Sequence, residues 1–529
     1  MVAMFLCRGM GFHLEEEKVE GERMVTRVVP SSLYALHGLC LAHCVPHVET
    51  HLFSDVSALL LNVIIQMISG VQRTKRTLPI LGFMQGRLST ILDYKIVSLA
   101  TALALKRVGV RALVLEKSDG LRATGAALSL FPNALLALEA LGVAHKLTSI
   151  YAPFTKGYIS NIVNGAIQDV SLAGKNGSGD GPTTVHRRAL LEALAEELPI
   201  DTIRFSSKPI SIETHTEEGS SITILRMEDG TIIKAKVLVG CDGVHSMVAQ
   251  WLGLKAPVHS GRSAVRGLAV FPQGHGLNHE VQQFLDLGIR AGYAPLNDKE
   301  LYWFVVFKSS PKDEEMIGKP ELILKEVIDN FAKHCPQIFL EVVRHSDLST
   351  VTWAPLMFRL PWALIFGQAC KGNITVAGDA MHPMTPDLGQ GGCAALEDAV
   401  VLGRNIGNSL RNGKILSGEV AGALERYVKE RRWRAAGLIT GSFLSGWVQQ
   451  GGWLMKFFRD MIFYRFIFSR IVMSYAMIVG SCLVFWTLIL RLINAISLSK
   501  LMHVCSSTPM LYFYLLCIVV REILVDQYF

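Results

Sequence analysis

The chain has 529 residues, of which half are apolar and 18% are charged; this composition excludes intrinsic disorder for most of the chain and allows several domains. The 52 basic and 45 acidic residues leave a net charge of +7. That excess is small for this length, so nucleic acid is not an expected partner. The mean hydropathy of +0.34 is high for a soluble enzyme and is typical of a chain with apolar runs long enough to cross a membrane. Ten irregularly spaced cysteines predict no disulfide framework and favour a reducing, intracellular compartment.

The first 94 residues have little steady periodicity and predict an atypical N-terminal extension. The apolar stretch from Met1 to Met10 is short and is soon followed by three glutamates, so no secretory signal is expected. Histidines and cysteines between 37 and 51 have the spacing of no common zinc finger, and Pro46 interrupts them. No metal site is therefore predicted.

A helix and a buried strand open the part of the chain that has the pattern of an α/β enzyme. Residues 99–107 are rich in helix formers, and the apolar run 110–115 ends at Glu116. A carboxylate in this place can hold the ribose hydroxyls of a dinucleotide. Residues 222–239 predict a hairpin and a buried strand that leads to Asp242 and Gly243. Strand-like runs between 264 and 308 predict an inserted sheet.

The strongest signal is the segment 374–399, ITVAGDAMHPMTPDLGQGGCAALEDA. Its short apolar strand ends at Gly378 and Asp379, where a carboxylate at the sheet edge can accept hydrogen bonds from a ribose or ribityl chain. After a loop that contains Pro386, three glycines open a helix; they are Gly389, Gly391 and Gly392. The exposed N–H groups and the dipole of such a helix start favour a negatively charged ligand.

This segment is similar to the second flavin-binding motif of the single-component FAD-dependent monooxygenases, and it most resembles their plant branch akin to zeaxanthin epoxidase. Para-hydroxybenzoate hydroxylase belongs to the same family. Residues 237–246 resemble the family's Asp-Gly motif, and residues 125–133 resemble its turn beyond the ribose carboxylate. Residues 184–191 resemble the segment whose arginine approaches the cofactor, with Arg187 at that position. The resemblance covers about residues 96–470.

The resemblance implies a Rossmann-like α/β domain that binds FAD, with an inserted antiparallel substrate-binding sheet and C-terminal helices. It implies that NADPH or NADH reduces FAD, that O₂ forms a flavin C4a-hydroperoxide, and that one oxygen atom passes to an organic, apolar substrate by hydroxylation or epoxidation. Asp379 would lie at the ribityl side, with Pro386 and the glycines of 389–392 against the flavin. Glu116, Arg187 and Asp242 would serve the nucleotide end. No essential acid or base is identified.

The expected domain bounds follow from this resemblance and from the changes in composition. They are an extension at 1–94, FAD-binding segments at 95–260 (with a hairpin or loop insertion near 150–185) and 351–410, a substrate-binding sheet at 261–350, C-terminal helices at 411–470 and a hydrophobic tail at 471–529.

The family's first motif, a strand followed by G-x-G-x-x-G and a helix, is missing. Its three glycine positions fall on Asp93, Lys95 and Ser98, and Lys95 puts a long side chain where the diphosphate would lie. One alternative function is therefore a membrane-attached pseudoenzyme of the same fold that has lost FAD. Another flavoenzyme, such as a halogenase or a reductase, shares the fold. The break also suggests that residues 1–94 are not the family's natural start.

The C-terminal zone carries the membrane-length run. Twenty uncharged residues, 471–490, lie between Arg470 and Arg491 and predict a transmembrane helix. The preceding residues 453–468 are aromatic, basic and amphipathic, as in a membrane-surface helix. We expect an intracellular protein that contacts membranes through residues 453–525; plastid and cytoplasm are not distinguished.

Overall fold

The structure, a computed structural model, describes residues 12–19, 23–30, 89–93, 95–120, 126–162, 165–172, 181–217, 220–286, 288–411, 414–415 and 418–450. The chain divides into two units between Gln85 and Gly86. In the first unit, β1 (Phe12–Val19) and β2 (Arg23–Pro30) form an antiparallel hairpin. The cluster at 37–51 and the predicted span 471–490 lie outside the described residues.

The second unit contains the remaining strands and helices. The strands are β3 (Ser89–Leu92), β4 (Ala112–Leu115), β5 (Ala127–Leu130), β6 (Lys156–Asn161), β7 (Ile167–Ser171), β8 (Thr183–His186), β9 (Ile203–Arg204), β10 (Pro209–Glu217), β11 (Ser220–Met227), β12 (Ile232–Ala235), β13 (Val237–Gly240), β14 (Val258–Val270), β15 (Val281–Leu285), β16 (Arg290–Asn297), β17 (Glu300–Lys308), β18 (Thr352–Phe358), β19 (Cys370–Lys371), β20 (Ile374–Val376), β21 (Leu410–Arg411) and β22 (Lys414–Ile415). The helices are α1 (Ile96–Arg107), α2 (Pro132–Ala140), α3 (Ala144–Thr148), α4 (Arg187–Ala195), α5 (Met247–Trp251), α6 (Asp313–Met316), α7 (Pro320–Glu326), α8 (Gln337–Arg344), α9 (Pro361–Ile365), α10 (Gly391–Gly407) and α11 (Glu419–Gln450).

A six-stranded sheet, in the order β19-β20-β13-β3-β4-β9, forms the centre of the α/β part. All its neighbouring strands are parallel except the edge pair β19–β20. Every residue of β3 and β13 is buried, as expected where helices cover both faces of a parallel sheet. The strand before Asp93 is therefore a central strand, although its sequence is only weakly strand-like.

Helix α1 packs closely against α10. A Cβ on Gly403 would lie 2.6 Å from the Cβ of Ala104, and a Cβ on Gly407 would lie 2.8 Å from Val108. Small residues at these positions let the two helix backbones approach each other. This contact holds the C-terminal halves of α1 and α10 together.

A seven-stranded sheet, in the order β18-β14-β17-β16-β15-β6-β7, is the second large element. It is antiparallel apart from the β6–β15 pair. One face packs on α7 and α8 through a core that includes Trp303 and Phe339. The sheet extends beyond the expected range 261–350, because the hairpin β6–β7 and the later strand β18 complete it. Strands distant in sequence thus join one sheet, which local patterns do not reveal.

The C-terminal helix α11 has 32 residues and crosses back over the parallel sheet. Its Tyr427 is fully buried and donates a hydrogen bond to the Val376 carbonyl, at 3.1 Å. Among the helices of the described residues, none has the length and apolar character needed to cross a bilayer.

Candidate functional site

Asp379 stands out at the carboxyl end of β20. From Asn373 to Gln390 only Asp379 and Pro386 are exposed, while nearly all other residues of this run are buried. The turn depends on Gly378, whose φ is +59° and whose Cβ, if present, would lie 3.0 Å from Val97. A side chain there would be both strained and crowded. The fold therefore presents the Asp379 carboxylate at the sheet edge, where the sequence predicts it.

The loop after Asp379 ends in a glycine turn that opens α10. A short 3₁₀ turn, Pro386–Leu388, leads to Gly389, whose φ is +66° and whose Cβ would lie 2.8 Å from the Phe131 ring. At Gly392 a Cβ would lie 2.6 Å from Leu128, whereas Gly391 has no atom nearer than 3.8 Å. Gln390, which precedes α10, makes no side-chain cap hydrogen bond. The first N–H groups of this long helix are thus available to a negatively charged ligand.

A buried ionic network supports the turn at Gly378 and the start of α10. Asp398 accepts hydrogen bonds from the Gly378 N–H (2.8 Å), His382 Nε2 (2.6 Å) and Arg431 Nε (2.6 Å). Glu397 pairs with Arg431 and also with Arg434. Burial raises the pKa of both carboxyls, but the opposing charges prevail and lower each pKa to about 2.

His382 is the remaining titratable member of the network. Burial lowers its pKa, but the adjacent Asp398 outweighs burial and raises the pKa above its ordinary value. Its Nδ1 is buried and has no hydrogen-bond partner among the described residues. The network therefore fixes the Gly378 turn and the start of α10 through charges that the protein itself supplies.

A second buried carboxylate ties the same loop to the seven-stranded sheet. Asp387 accepts hydrogen bonds from both terminal nitrogens of Arg262, at 2.9 and 2.7 Å, and from Arg290 Nη1 at 3.1 Å. The two arginines lower the pKa of Asp387 against the effect of its burial. Gly446 of α11 leaves room for this pair, because a Cβ there would lie 2.5 Å from the Asp387 carboxylate. Three distant segments thus meet at one carboxylate.

Arg187 begins α4 and is half-buried. Burial lowers the pKa of its guanidinium, the charges of Asp379 and Asp93 raise it, and that of Arg266 lowers it. No hydrogen bond or ion pair joins its side chain to another described residue. An arginine that feels the charge of two carboxylates but makes no side-chain hydrogen bond to a described residue is suited to bind an anion.

The missing glycine motif is replaced by a small charged cluster. Asp93 has a φ of +78°, the left-handed conformation that the first glycine of such a motif provides. Its carboxylate forms an ion pair with Lys95 Nζ at 2.7 Å. Burial raises the pKa of Asp93, but a hydrogen bond with Glu116 and the Lys95 charge lower it. Asp93 therefore has a backbone conformation that favours glycine, while its side chain adds an ion pair that a glycine could not make.

Glu116 is 5% exposed and accepts hydrogen bonds from the backbone N–H (2.7 Å) and hydroxyl (2.5 Å) of Ser118. It lies at the end of β4, beside Asp93, as the βαβ arrangement predicts. Groups of the protein itself already occupy part of its capacity to accept hydrogen bonds.

Asp242 and Gly243 form a turn that also serves the protein itself. The Asp242 carboxylate accepts hydrogen bonds from the Ser246 hydroxyl (2.5 Å) and the Met247 N–H (2.7 Å), which caps α5. Burial raises its pKa, and these hydrogen bonds lower it less than burial raises it. Gly243 has a φ of +79°, and a Cβ there would collide with Lys95 Nζ. Lys95 thus lies across the crevice between β3 and β13.

Arg262, Arg290, Asp387 and Arg431 were not expected at the site from the sequence. Each contacts a partner more than thirty residues away, so no local spacing indicates it. Pro386, next to Asp387, indicates a loop in the sequence but does not indicate that the Asp387 side chain is buried and paired.

The comparisons with known proteins agree with this geometry. The family described as "FAD binding domain" matches residues 97–442. "Monooxygenase 2" of Arabidopsis thaliana is 40% identical over 71% of this chain and 93% of its own length. "Zeaxanthin epoxidase, chloroplastic" of an Oncidium hybrid cultivar is 29% identical over 64% of this chain and 51% of its own length. The crystal structure of Klebsiella pneumoniae HpxO complexed with FAD and uric acid has a TM-score of 0.63 at 22% identity, covering 74% of this chain and 97% of that chain.

Proposed function

Because this chain belongs to the FAD-dependent monooxygenase family, we propose that it transfers one oxygen atom from O₂ to an organic substrate, with NADPH or NADH as the electron donor. The observation that carries the proposal is the pair of exposed residues, Asp379 and Pro386, in an otherwise mostly buried run at the edge of the parallel sheet. This edge is where open α/β sheets bind their cofactors. The chain is therefore an oxidoreductase, and the reaction it performs is proposed to be a hydroxylation or an epoxidation.

The residues present fit FAD at the flavin and ribityl end. Asp379 is free to accept hydrogen bonds from ribityl hydroxyls, and the uncapped start of α10 directs N–H groups toward the anionic edge of a reduced ring. Gly391 leaves open space beside this helix start. When bound, FAD supplies the electron transfer and oxygen activation that no side chain can perform.

At the nucleotide end, the unused donors of Arg187 suit a phosphate, and the glutamate after β4 suits the ribose hydroxyls. Lys95 must leave Asp93 before a diphosphate can cross the crevice over Gly243. A lysine turned toward the diphosphate would add a positive charge where a glycine motif offers only N–H groups. Asp242 acts here by holding the turn, since its carboxylate caps α5.

The experiment is an absorbance spectrum of the full-length protein after desalting, with the wild type compared to Asp379→Ala and to the exposed control Asp298→Ala. We expect flavin bands at roughly 370 and 450 nm in the wild type and the control. We expect their loss, or a large reduction, in Asp379→Ala. Consumption of NADPH or NADH that rises with substrate then identifies the electron donor. A folded wild type without these bands contradicts the proposal.

A pseudoenzyme is the second candidate, and the position of Lys95 favours it. If the lysine stays paired with Asp93 over Gly243, the crevice is closed to a diphosphate. The wild type would then be colourless. If Lys95 closes the crevice, a variant that combines Asp93→Gly, Lys95→Gly and Ser98→Gly should regain flavin. If something else closes it, this variant should stay colourless.

Association with membranes through residues 453–525 is proposed from the sequence pattern alone. Washing a membrane fraction with carbonate tests it: a spanning segment at 471–490 stays with the bilayer, whereas a surface helix at 453–468 is released. The protein in the soluble fraction from the outset would contradict both.

A further inference from the structure

The short helix α9 turns apolar side chains toward solvent. Its sequence, PWALI, is apolar throughout and continues into Phe366. Leu364 is fully buried in the main core. Residues at i, i+3 and i+4 lie on one side of a helix; of the three with this spacing, Trp362 and Ile365 are half-buried and Phe366 is 69% exposed. Because a surface helix normally turns polar residues to solvent, this apolar side indicates a surface that another molecule covers.

The backbone after Phe366 holds α9 at the β19 edge of the six-stranded sheet. Helix α9 packs on α11, and Arg432 of α11 donates a hydrogen bond to the Gly367 carbonyl at 3.1 Å. Gly367 has no room for a side chain, since a Cβ there would lie 2.7 Å from Leu254. Strand β19 begins three residues later, at Cys370. The apolar side of α9 is therefore a fixed part of the folded chain.

Two exposed lysines border this side of α9. Lys255 follows Leu254, the residue in contact with Gly367. Lys371, on β19, has its Nζ 5.5 Å from the ring centroid of the half-buried Trp251. Neither lysine forms an ion pair with another described residue. We call the α9 surface the apolar residues Trp362, Ile365 and Phe366 together with Lys255 and Lys371.

The charges around the α9 surface are mainly positive. At Cys370, burial raises the pKa of the thiol, the charge of Glu425 raises it further and the charge of Arg432 lowers it. Both charged residues of α11 therefore lie near β19. Two lysines and this arginine thus stand against one carboxylate, and a negatively charged partner is favoured.

An anionic membrane fits this combination better than a protein does. Aromatic side chains settle at the headgroup level of a bilayer, and lysines are attracted to an anionic leaflet. Protein interfaces, by contrast, are depleted in lysine, and one side of a five-residue helix offers far less than the roughly 800 Å² that each partner of a stable complex buries. The chain's own residues 453–468 carry three basic residues against one acidic residue, so repulsion between like charges disfavours that segment as the occupant.

We propose that the α9 surface binds a bilayer rich in anionic phospholipids, with the Phe366 ring inserted among the headgroups and the two lysines against the lipid phosphates. This contact belongs to the folded part of the chain and is additional to the membrane association proposed for residues 453–525. It goes beyond the proposed oxygenation and does not depend on bound flavin.

The test is hydrogen exchange of the full-length protein, read by mass spectrometry, alone, with phosphatidylcholine vesicles, and with vesicles that also contain phosphatidylglycerol. We expect residues 360–371 to exchange more slowly on the anionic vesicles than on the neutral ones. Residues 198–204 are the control, because Ile200 is 98% exposed beside β9, at the other edge of the same sheet; their exchange should not change. Equal exchange of 360–371 on the two kinds of vesicle overturns the proposal. So does slow exchange without vesicles, which would indicate the chain's own segment 453–468 or, if it increases with protein concentration, a second copy.

Variants assign the lipid preference to these residues by cosedimentation with the same vesicles. Lys255→Gln combined with Lys371→Gln should lower the ratio of anionic to neutral binding by about 30-fold, which corresponds to about 1 kcal/mol per lysine. Phe366→Ser should weaken binding to anionic vesicles by about 10-fold, whereas the control Ile200→Ser should not.

An unchanged ratio in the double lysine variant would assign the preference to residues 453–468 and overturn the proposal. Flavin content separates this proposal from the proposed function. Slow exchange of 360–371 on anionic vesicles in a colourless wild type supports the membrane contact while the oxygenation fails, and a yellow wild type without it gives the reverse.

Discussion

Replacing Arg431 with methionine tests whether the buried ionic network stabilises the flavin-motif fold. Arg431 is 3% exposed, and its guanidinium donates to Asp398 at 2.6 Å, to Glu397 at 2.5 Å and to the Ala394 carbonyl at 3.1 Å. Methionine has a similar length and fills much of the same space. The substitution therefore removes the charge with little change in packing.

The structure gives the size of the expected effect. The pKa values of Glu397 and Asp398 are both lowered to about 2, from 4.5 and 3.8. At 1.36 kcal/mol per pKa unit, the network favours each ionised carboxylate by roughly 2 to 3 kcal/mol. Arg434 and His382 still stabilise the two carboxylates in the variant. Arg431→Met should therefore lower the free energy of unfolding by roughly 3 to 5 kcal/mol near pH 7. This is the usual cost of leaving a buried carboxylate without its partner.

Urea denaturation followed by circular dichroism, repeated between pH 7 and pH 3, measures the effect. Because both folded pKa values lie below the unfolded ones, the wild type should lose stability as the pH falls from about 4.5 toward about 2. In Arg431→Met the buried carboxylates take up protons at higher pH. The difference between variant and wild type should therefore shrink as the pH falls.

Arg426→Met, an exposed position on the same helix, is the matched control and should change stability by less than about 0.5 kcal/mol. A deficit in Arg431→Met that stays the same at pH 7 and pH 3 would refute the electrostatic reasoning. It would show that lost packing, and not an uncompensated carboxylate, sets the cost.

Three further predictions concern stability. Gly403→Val should lower the free energy of unfolding by roughly 1 to 3 kcal/mol, because the Cβ meets Ala104 at 2.6 Å; Gly418→Val, with no atom within 4 Å, should show no such loss in the same denaturation assay. Gly446→Val should force Arg262 from Asp387 and hasten proteolytic cleavage of the loop before α10, and unchanged cleavage would contradict the close packing. Because Asp398 raises the pKa of His382, the wild type should lose stability as the pH rises above about 6.5 and through that raised value. His382→Asn should flatten this decline. If the stability of the two proteins falls with pH in parallel, the prediction is wrong.

The sequence by itself determined the elements whose signals are local. The strand, loop and helix at 374–407, the strand before Glu116 and the hairpin before β13 are set by residue spacing and by glycines that adopt positive φ, as at Gly378 and Gly389. The family and its cofactor followed from the same segment, because phosphate and flavin contacts use consecutive backbone groups. The exposure of Asp379 also follows, since the carboxyl edge of a parallel sheet is open.

Only the tertiary structure decided which distant charges meet. The pairing of Asp387 with Arg262 and Arg290 joins segments about a hundred residues apart, and Arg431 reaches Asp398 from another helix. Charged side chains at such positions look solvent-exposed in a linear sequence, and they become buried because their counter-charges arrive from elsewhere in the fold.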